Sequence, residues 1–298
     1  LGVSVLTFAL GVLAPGDPAE VVLSRSLGQP PTDEQLAAMR QELGTDRPIP
    51  VQYLHWLGGA VRGDFGDSWL RGVRVQDAMV ERIPRTVILA LSAAGLSLLI
   101  GIPLGVLAAT RRNTIIDHLS RVGALFGASL PSFFTAYLLI YLFAVRFHLV
   151  PVFGFGSAAH LVLPAVTLAL GPAAVLARFT RSTVLEVLGE DYVRTAAAKG
   201  ARGTAVLFHH ALRNALVPVV TIAGLSVGHL LGGSLIVEWV FAWPGMGDLA
   251  VSAIQDRDYP LVQGFVLFAA TVYLVVNLVV DLSYAYLDPR VRLEGRQE

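Results

Sequence analysis

Cysteine is absent from this 298-residue chain, and lysine occurs once, at Lys199. The first absence excludes disulfides, thiolate metal sites and cysteine nucleophiles. The second bears on nucleotide binding: a phosphate-cradling loop needs Gly-x-x-x-x-Gly-Lys followed by Ser or Thr, and Lys199 stands before Gly200-Ala201 instead. ATP is therefore not bound by that route. Charge is also scarce. Charged residues make up 15% of the chain, against about 25% in a soluble domain, and the formal net charge is zero, which gives no pull toward nucleic acid. No His-Glu-x-x-His spacing occurs, and His209 and His210 are neighbours rather than partners one helical turn apart. The sequence thus predicts neither a metal centre nor a resident cofactor.

What is abundant is apolar: 54% of residues are hydrophobic and the mean hydropathy is +0.64. Uncharged stretches near the length of about 20 residues that crosses a bilayer run from Val87 to Ala109, Val122 to Val145, Ala215 to Val237 and Leu261 to Val280. Leu161 to Ala177 is shorter and is interrupted by Pro164 and Pro172, with Arg178 and Arg181 as interfacial anchors. Leu1 to Ala14 is apolar and stops at Pro15-Gly16-Asp17-Pro18. It reads either as a signal-peptide core or as part of a first transmembrane helix. The lack of an initiating Met and of a basic flank favours the helix. The expectation is an all-α polytopic membrane protein with about six spans, its core over residues 86–287.

Residues 15–85 differ in character, with eight Arg and ten Asp or Glu. Thr32-Asp33-Glu34-Gln35 predicts a capping box opening a helix to about Leu43, with Gly44 as its stop. Val51 to Val61 carries Tyr53, Leu54, Trp56 and Leu57 at helical spacing, and the turn from Arg62 to Ser68 ends it. This segment predicts a small folded extramembrane insert.

Arg and Lys placement orients the chain. Arg111, Arg112, Arg121, Arg178, Arg181, Arg194, Lys199, Arg202, Arg213, Arg290, Arg292 and Arg296 fall on one side, and only Arg146 and Arg257 in the opposite short loops. Twelve against two is a positive-inside signal that places both termini, including a tail over 288–298, in the cytoplasm. Gly224, Gly228 and Gly232 recur every four residues, as do Gly101 with Gly105 and Gly123 with Gly127. Such ridges let helices approach closely, within the chain or against a second one.

Between two apolar runs lies the polar stretch from Glu186 to Pro218. Glu190 and Asp191 suit a helix start, Ala196, Ala197 and Ala198 favour helix, and Lys199-Gly200 suits a stop. A second short helix is expected from about Thr204 to Ala215. Two helices meeting at a glycine form a knuckle suited to docking a soluble partner.

The run Asp191-Tyr192-Val193-Arg194-Thr195-Ala196, then Ala198-Lys199-Gly200, then His210-Ala211-Leu212-Arg213-Asn214-Ala215-Leu216 and Pro218 resembles the cytoplasmic "EAA" loop of ABC-importer permeases. The general Glu-Ala-Ala opening reads Arg194-Thr195-Ala196 here, and the usual Leu-Pro close reads Arg213-Asn214 with Pro218 further on, as in the dipeptide, oligopeptide and nickel branch. Leu163-Pro164-Ala165, Arg178-x-x-Arg181-Ser182, Glu238-Trp239-Val240-Phe241 with Trp243-Pro244-Gly245-Met246-Gly247, Asp258-Tyr259-Pro260, and Asn277 through Asp281 to Asp288-Pro289-Arg290 are similar to the same family, as is Pro-Gly-Asp-Pro after a first helix.

The resemblance implies a type I ABC-importer transmembrane domain with an extracytoplasmic insert between helices 1 and 2, in a bacterial-type cytoplasmic membrane. It implies half of a path for peptides, or for nickel or another small solute. The implied partners are a second, related permease chain, two ATPase subunits that carry ATP and magnesium, and an extracytoplasmic binding protein. The insert would meet that binding protein or simply cap the helices. Within the coupling loop, 182–217, the contact with the ATPase would fall on residues 190–202. Glu190 and Thr195 belong to that contact surface; Asp191, Tyr192, Arg194 and Lys199 would supply its polar contacts, and Ala196, Ala197 and Gly200 would allow close approach.

Ser226, His229 and Asn277 are polar at membrane depth, and line the passage or hydrogen-bond between helices. Glu238 lies at the outer end of its span, and Asp281 is expected to pair with Arg121 or Arg178. Gly224-Leu225-Ser226-Val227-Gly228 matches Gly-x-Ser-x-Gly, which raises an intramembrane serine hydrolase, but that pattern needs a strand-to-helix elbow, and here it sits inside a helix-length apolar run where the glycines already have a packing explanation. No catalytic residue is assigned. A secondary transporter or channel working without an ATPase is the remaining alternative.

Overall fold

An apolar segment in a bilayer must pair its own backbone polar groups, and a helix does so within one segment. The computed structural model describes residues 2–13, 16–200 and 203–287. In chain order these form α1 (Gly2–Leu13), α2 (Pro18–Leu27), α3 (Asp33–Leu43), α4 (Ile49–Val61), α5 (Val75–Thr110), α6 (Ile115–Ser129) and α7 (Ser132–Leu139), which continues as a π-helical stretch, Ile140–Arg146. Then come α8 (Ala158–Leu188), α9 (Asp191–Ala198), α10 (Gly203–Ala205), a second π-helical stretch (Val206–Ala211), α11 (Leu212–Gly233), α12 (Leu235–Val240), α13 (Met246–Asp256) and α14 (Tyr259–Leu287). Among the described residues no strand forms beyond an isolated bridge between Asp67 and Arg74. Three helices, α5, α8 and α14, are long and apolar enough to cross a membrane, and the number reaches six if each of three bent helix pairs is one span.

The chain divides into two compact units, Leu1–Pro84 with Gly245–Val272, and Arg85–Pro244 with Tyr273–Glu298. In the first, Asp17 caps α2 by accepting from the Ala19 N–H at 3.0 Å and also takes Arg40 at 2.6 Å, so the Pro-Gly-Asp-Pro element fixes where α3 lies against α2. The capping box on α3 is present as Thr32 and Gln35 predict, and Gly44 closes the helix in the left-handed region at φ 67°. Phe8 of α1 packs edge-on to Tyr53 at 5.4 Å and beside Trp56 at 5.6 Å, and Ser4 hydrogen-bonds Tyr53. The core of this unit gathers Val75, Met79, Met246, Leu249, Ala253 and Leu261.

The second unit is organised on α8. Gly101 and Gly105 of α5 meet it so closely that a Cβ at Gly105 would stand 2.6 Å from both the Ala177 carbonyl oxygen and Thr180 Cβ. Gly127 of α6 packs on Ala174, while Gly123 faces open space. The 101/105 ridge thus packs within the chain. Gly228 and Gly232 carry no described environment.

Three expectations are corrected. The stretch Val122–Val145 is not one straight span: α6 and the helix from Ser132 to Arg146 meet at 107°. The cause is local. Leu130 is extended (φ −77°, ψ 128°), as the residue before Pro131 is driven to be. Conversely, Pro164 and Pro172 do not interrupt α8, which runs unbroken to Leu188, so residues 182–188 are helix rather than loop. Each proline removes one helical donor, a loss that a helix packed among neighbours tolerates; Ser97 of α5 donates to the Ala169 carbonyl of this stretch at 3.1 Å. Finally, the second helix of the knuckle does not stop near Ala215. It continues through α11 to Gly233, because Pro218 bends the helix, by 44° between Val206–Leu216 and Pro218–Gly224, without ending it.

Candidate functional site

α8 ends at Leu188, and after Gly189 and Glu190 the chain turns into α9. The turn is held by the backbone: the Glu190 N–H donates to the Val187 carbonyl, and the Glu190 carbonyl accepts from the N–H groups of Val193 and Arg194, each at 3.1 Å. Asp191 begins the helix, where a carboxylate suits the positive end of the helix dipole. α9 is amphipathic. Val193 is buried, whereas Asp191, Tyr192, Arg194, Thr195, Lys199 and Gly200 are exposed and Ala196 is half-buried. The side-chain environment of Ala197 lies outside the described part.

Thr195 Oγ1 donates to the Asp191 carbonyl at 2.8 Å, and Arg194 stands 3.8 Å from the Asp191 carboxylate, both on the open face. Tyr192 reaches across the knuckle, its hydroxyl accepting from Asn214 Nδ2 of α11 at 2.7 Å. Gly200 has φ +84°, and among the described residues beyond its chain neighbours no atom lies within 4 Å of where a Cβ would stand. The glycine is required by backbone conformation and not by crowding. Beneath the knuckle, Ala109 of α5, Val184 of α8 and Ala215 of α11 form a small buried cluster with Leu185, Leu188 and Leu212 against it. The two helices flanking α9 are thereby joined to each other and to α5.

Of the membrane-depth candidates, Ser226 and Asn277 have described side chains. Ser226 lies inside α11 and its Oγ donates to the Ile222 carbonyl of its own helix at 2.9 Å. The strand-to-helix elbow of a serine hydrolase is absent there, and the Gly-x-Ser-x-Gly match is a helix segment. Asn277 is half-buried on α14. The side chains of His229 and Asp281 lie outside the described part, and with them the expected Asp281 pairing.

The ion pair at this end of the unit is one that sequence reasoning missed. Asp117, in the first turn of α6, is fully buried and accepts from Arg181 Nε at 2.6 Å and Nη2 at 2.8 Å. A third bond comes from the backbone N–H of Asn113 at 2.9 Å, in a turn where Asn113 itself is left-handed (φ 62°). The only sequence signal was Arg181 in the Arg178-x-x-Arg181 pattern.

Comparison with known proteins decides the class. A family profile described as "Binding-protein-dependent transport system inner membrane component" matches residues 101–293, and its N-terminal companion matches residues 1–90. The chain belongs to this family. A probable peptide ABC transporter permease of Sinorhizobium fredii is 43% identical, over 97% of this chain and 94% of its own length. The dipeptide transport system permease DppB of Escherichia coli K12 is 41% identical over 98% and 94%, and the glutathione transport system permease GsiC of the same strain 42% over 97% and 94%. Among solved structures, an inward-facing MetNI methionine ABC transporter chain superposes with a TM-score of 0.58 at 21% identity, over 70% of this chain and 95% of that one. A chain of an amino acid ABC transporter does so at 0.54 and 15%, over 70% and 94%. The fold is therefore that of a type I importer transmembrane domain. The protein is a permease subunit of an ATP-driven importer, an inner-membrane transport component.

Two further motifs of the permease acquire a physical reason. Asp258, buried at the start of α14, accepts from the Ser68 hydroxyl and from the Trp69 N–H at 3.4 Å, while Tyr259 stacks edge-on to Trp69 at 5.9 Å. The Asp258-Tyr259-Pro260 motif is the anchor of the 62–74 turn. In the other unit, Trp243 donates from Nε1 to the Arg85 carbonyl at 3.1 Å and meets Phe155 edge-on at 4.9 Å, and the Arg85 guanidinium lies 5.2 Å over the same Phe155 ring. Glu238 is fully buried beside this arrangement, its carbonyl accepting from the Trp243 N–H at 2.8 Å.

Proposed function

We propose that this permease forms half of the translocation path of a peptide importer and receives the ATPase stroke on α9. The supporting observation is the form of α9: a short helix with Val193 turned inward and a polar, small-residue face turned outward, held between two long helices that share a buried apolar cluster. A partner that grips the open face moves α8 and α11 together. The membrane helices then tilt between inward-open and outward-open states, a two-state element biased by nucleotide at a distant site. ATP and magnesium belong to two ATPase subunits, a second and related permease completes the path, and an extracytoplasmic binding protein delivers cargo, as the family implies. On this reading both termini and α9 are cytoplasmic, with twelve basic residues on that side against two opposite.

Peptide is the favoured cargo because relatives above 40% identity over nearly the whole chain bear peptide, dipeptide and glutathione in their names. Nickel or another small solute is the second reading. The deciding experiment deletes the permease in its own host and measures uptake of a labelled dipeptide, glutathione and nickel. Loss of dipeptide or glutathione uptake, restored by the intact chain, is expected; loss of nickel uptake alone would overturn the peptide assignment.

A further inference from the structure

A fully buried carboxylate needs a reason, since taking the Asp117 charge out of water costs stability that only good geometry offsets, and its partner Arg181 is itself half-buried. Asp117 and Arg181 have that geometry. The planar guanidinium meets the carboxylate with two parallel bonds, at 2.6 and 2.8 Å, and Asn113 supplies a third. A bidentate fork of this kind fixes orientation as well as distance. Its position is specific. Arg181 lies about two turns before the end of α8, on the segment that leads into α9, while Asp117 opens α6. Further along the same two helices Gly127 closes on Ala174, and α5 closes on α8 through Gly101 and Gly105. α6 is thus fixed to α8 at two levels, and only the level nearest α9 is polar and direction-setting.

We propose that Asp117 and Arg181 are a positioning pair that makes α6 and α8 move as one body, so that displacement of α9 reaches the 107° break at Leu130–Pro131. The pair touches neither cargo nor nucleotide. It acts through α8, and it rests on the reading that α9 receives the ATPase stroke. Sliding of α6 along α8 would require both strong bonds to break together, whereas an apolar contact would tolerate it.

The chain has no cysteine, so spin labels can be placed at Leu119→Cys on α6 and Val175→Cys on α8, both exposed, in the reconstituted importer. With the native pair, pulsed-EPR separations should coincide in the nucleotide-free and vanadate-trapped states. A shift between the states larger than the width of the distribution overturns the proposal. The uncharged double variant Asp117→Asn/Arg181→Gln should broaden the distribution and lower cargo uptake per ATP hydrolysed by about tenfold, the scale on which coupling networks act, with Arg181→Lys intermediate. Normal uptake per ATP in an assembled double variant also overturns it. If the double variant does not assemble, the labelled native pair decides alone. Failure of the native assembly to couple uptake to ATP at all would instead sink the underlying reading of α9, which separates the two failures.

Discussion

At the scale of single residues, Gly200 carries the most consequence. Its φ of +84° lies where a side chain costs about 1–2 kcal/mol, and no neighbour would be struck, so a substitution acts on the shape of the knuckle and leaves packing intact. Gly200→Asp adds a charge to the exposed end of α9 as well. It should insert and assemble in the membrane normally, measured as chain recovered in the membrane fraction, while cargo uptake falls by about tenfold or more, as loss of a coupling of this size implies. Unchanged uptake would remove α9 from the mechanism.

Ser226 gives the opposite expectation. Its hydroxyl is returned to the Ile222 carbonyl, a local bond worth little to a helix, and Ser226→Ala should leave transport within about twofold. Abolished activity would revive a chemical role for that hydroxyl. Gly200 and Thr32 were legible in the sequence because each acts on its own neighbours, a left-handed stop in one case and a reciprocal cap with Gln35 in the other. Asp117 and Asp258 were not. Their partners, Arg181 and Ser68, are distant in the chain, and pairing across such distances depends on how each helix is rotated, which hydropathy does not encode.

At the scale of elements, proline behaves in two ways, and the difference is physical. Pro164 and Pro172 lie inside α8, whose apolar span is half buried against its neighbours, and a helix packed in this way tolerates the lost donors. Pro131 follows Leu130 at the mouth of α7, where the extended Leu130 backbone ends α6 and Pro131, with φ −59° and ψ 139°, stands as the residue before the next helix begins at Ser132. The sequence shows a proline in each case, and only packing tells a kinked span from a broken one. Pro131→Ala relieves the restriction on Leu130. Labels at Phe126→Cys and Phe134→Cys, both exposed, should move apart as the 107° bend relaxes, and transport should fall with it. An unchanged separation would mean that packing by α8, rather than the proline, holds the bend.

At the scale of the whole molecule, the position of the polar knuckle and the all-helical class were readable because each rests on composition over tens of residues, whereas the bends that leave three unbroken spans were not. The direction of the chain across the membrane rests on charge alone, and it is the step that the coupling mechanism most needs. Arg and Lys are retained on the cytoplasmic side during insertion because moving them across is opposed, and a bias of twelve to two is far from balanced. The cysteine-free background makes the test direct. Thr195→Cys lies on the exposed face of α9, so a membrane-impermeant maleimide should leave it unlabelled in intact cells and label it in inside-out vesicles. Leu54→Cys, exposed in the insert, should show the reverse. Adding purified ATPase subunits to vesicles stripped of them should then slow labelling at Thr195→Cys and leave that at Ile115→Cys, an exposed position on α6, unaffected. Labelling of Thr195→Cys from outside intact cells would place α9 beyond the reach of any cytoplasmic ATPase, and equal labelling with and without the ATPase would leave that face of α9 without a partner.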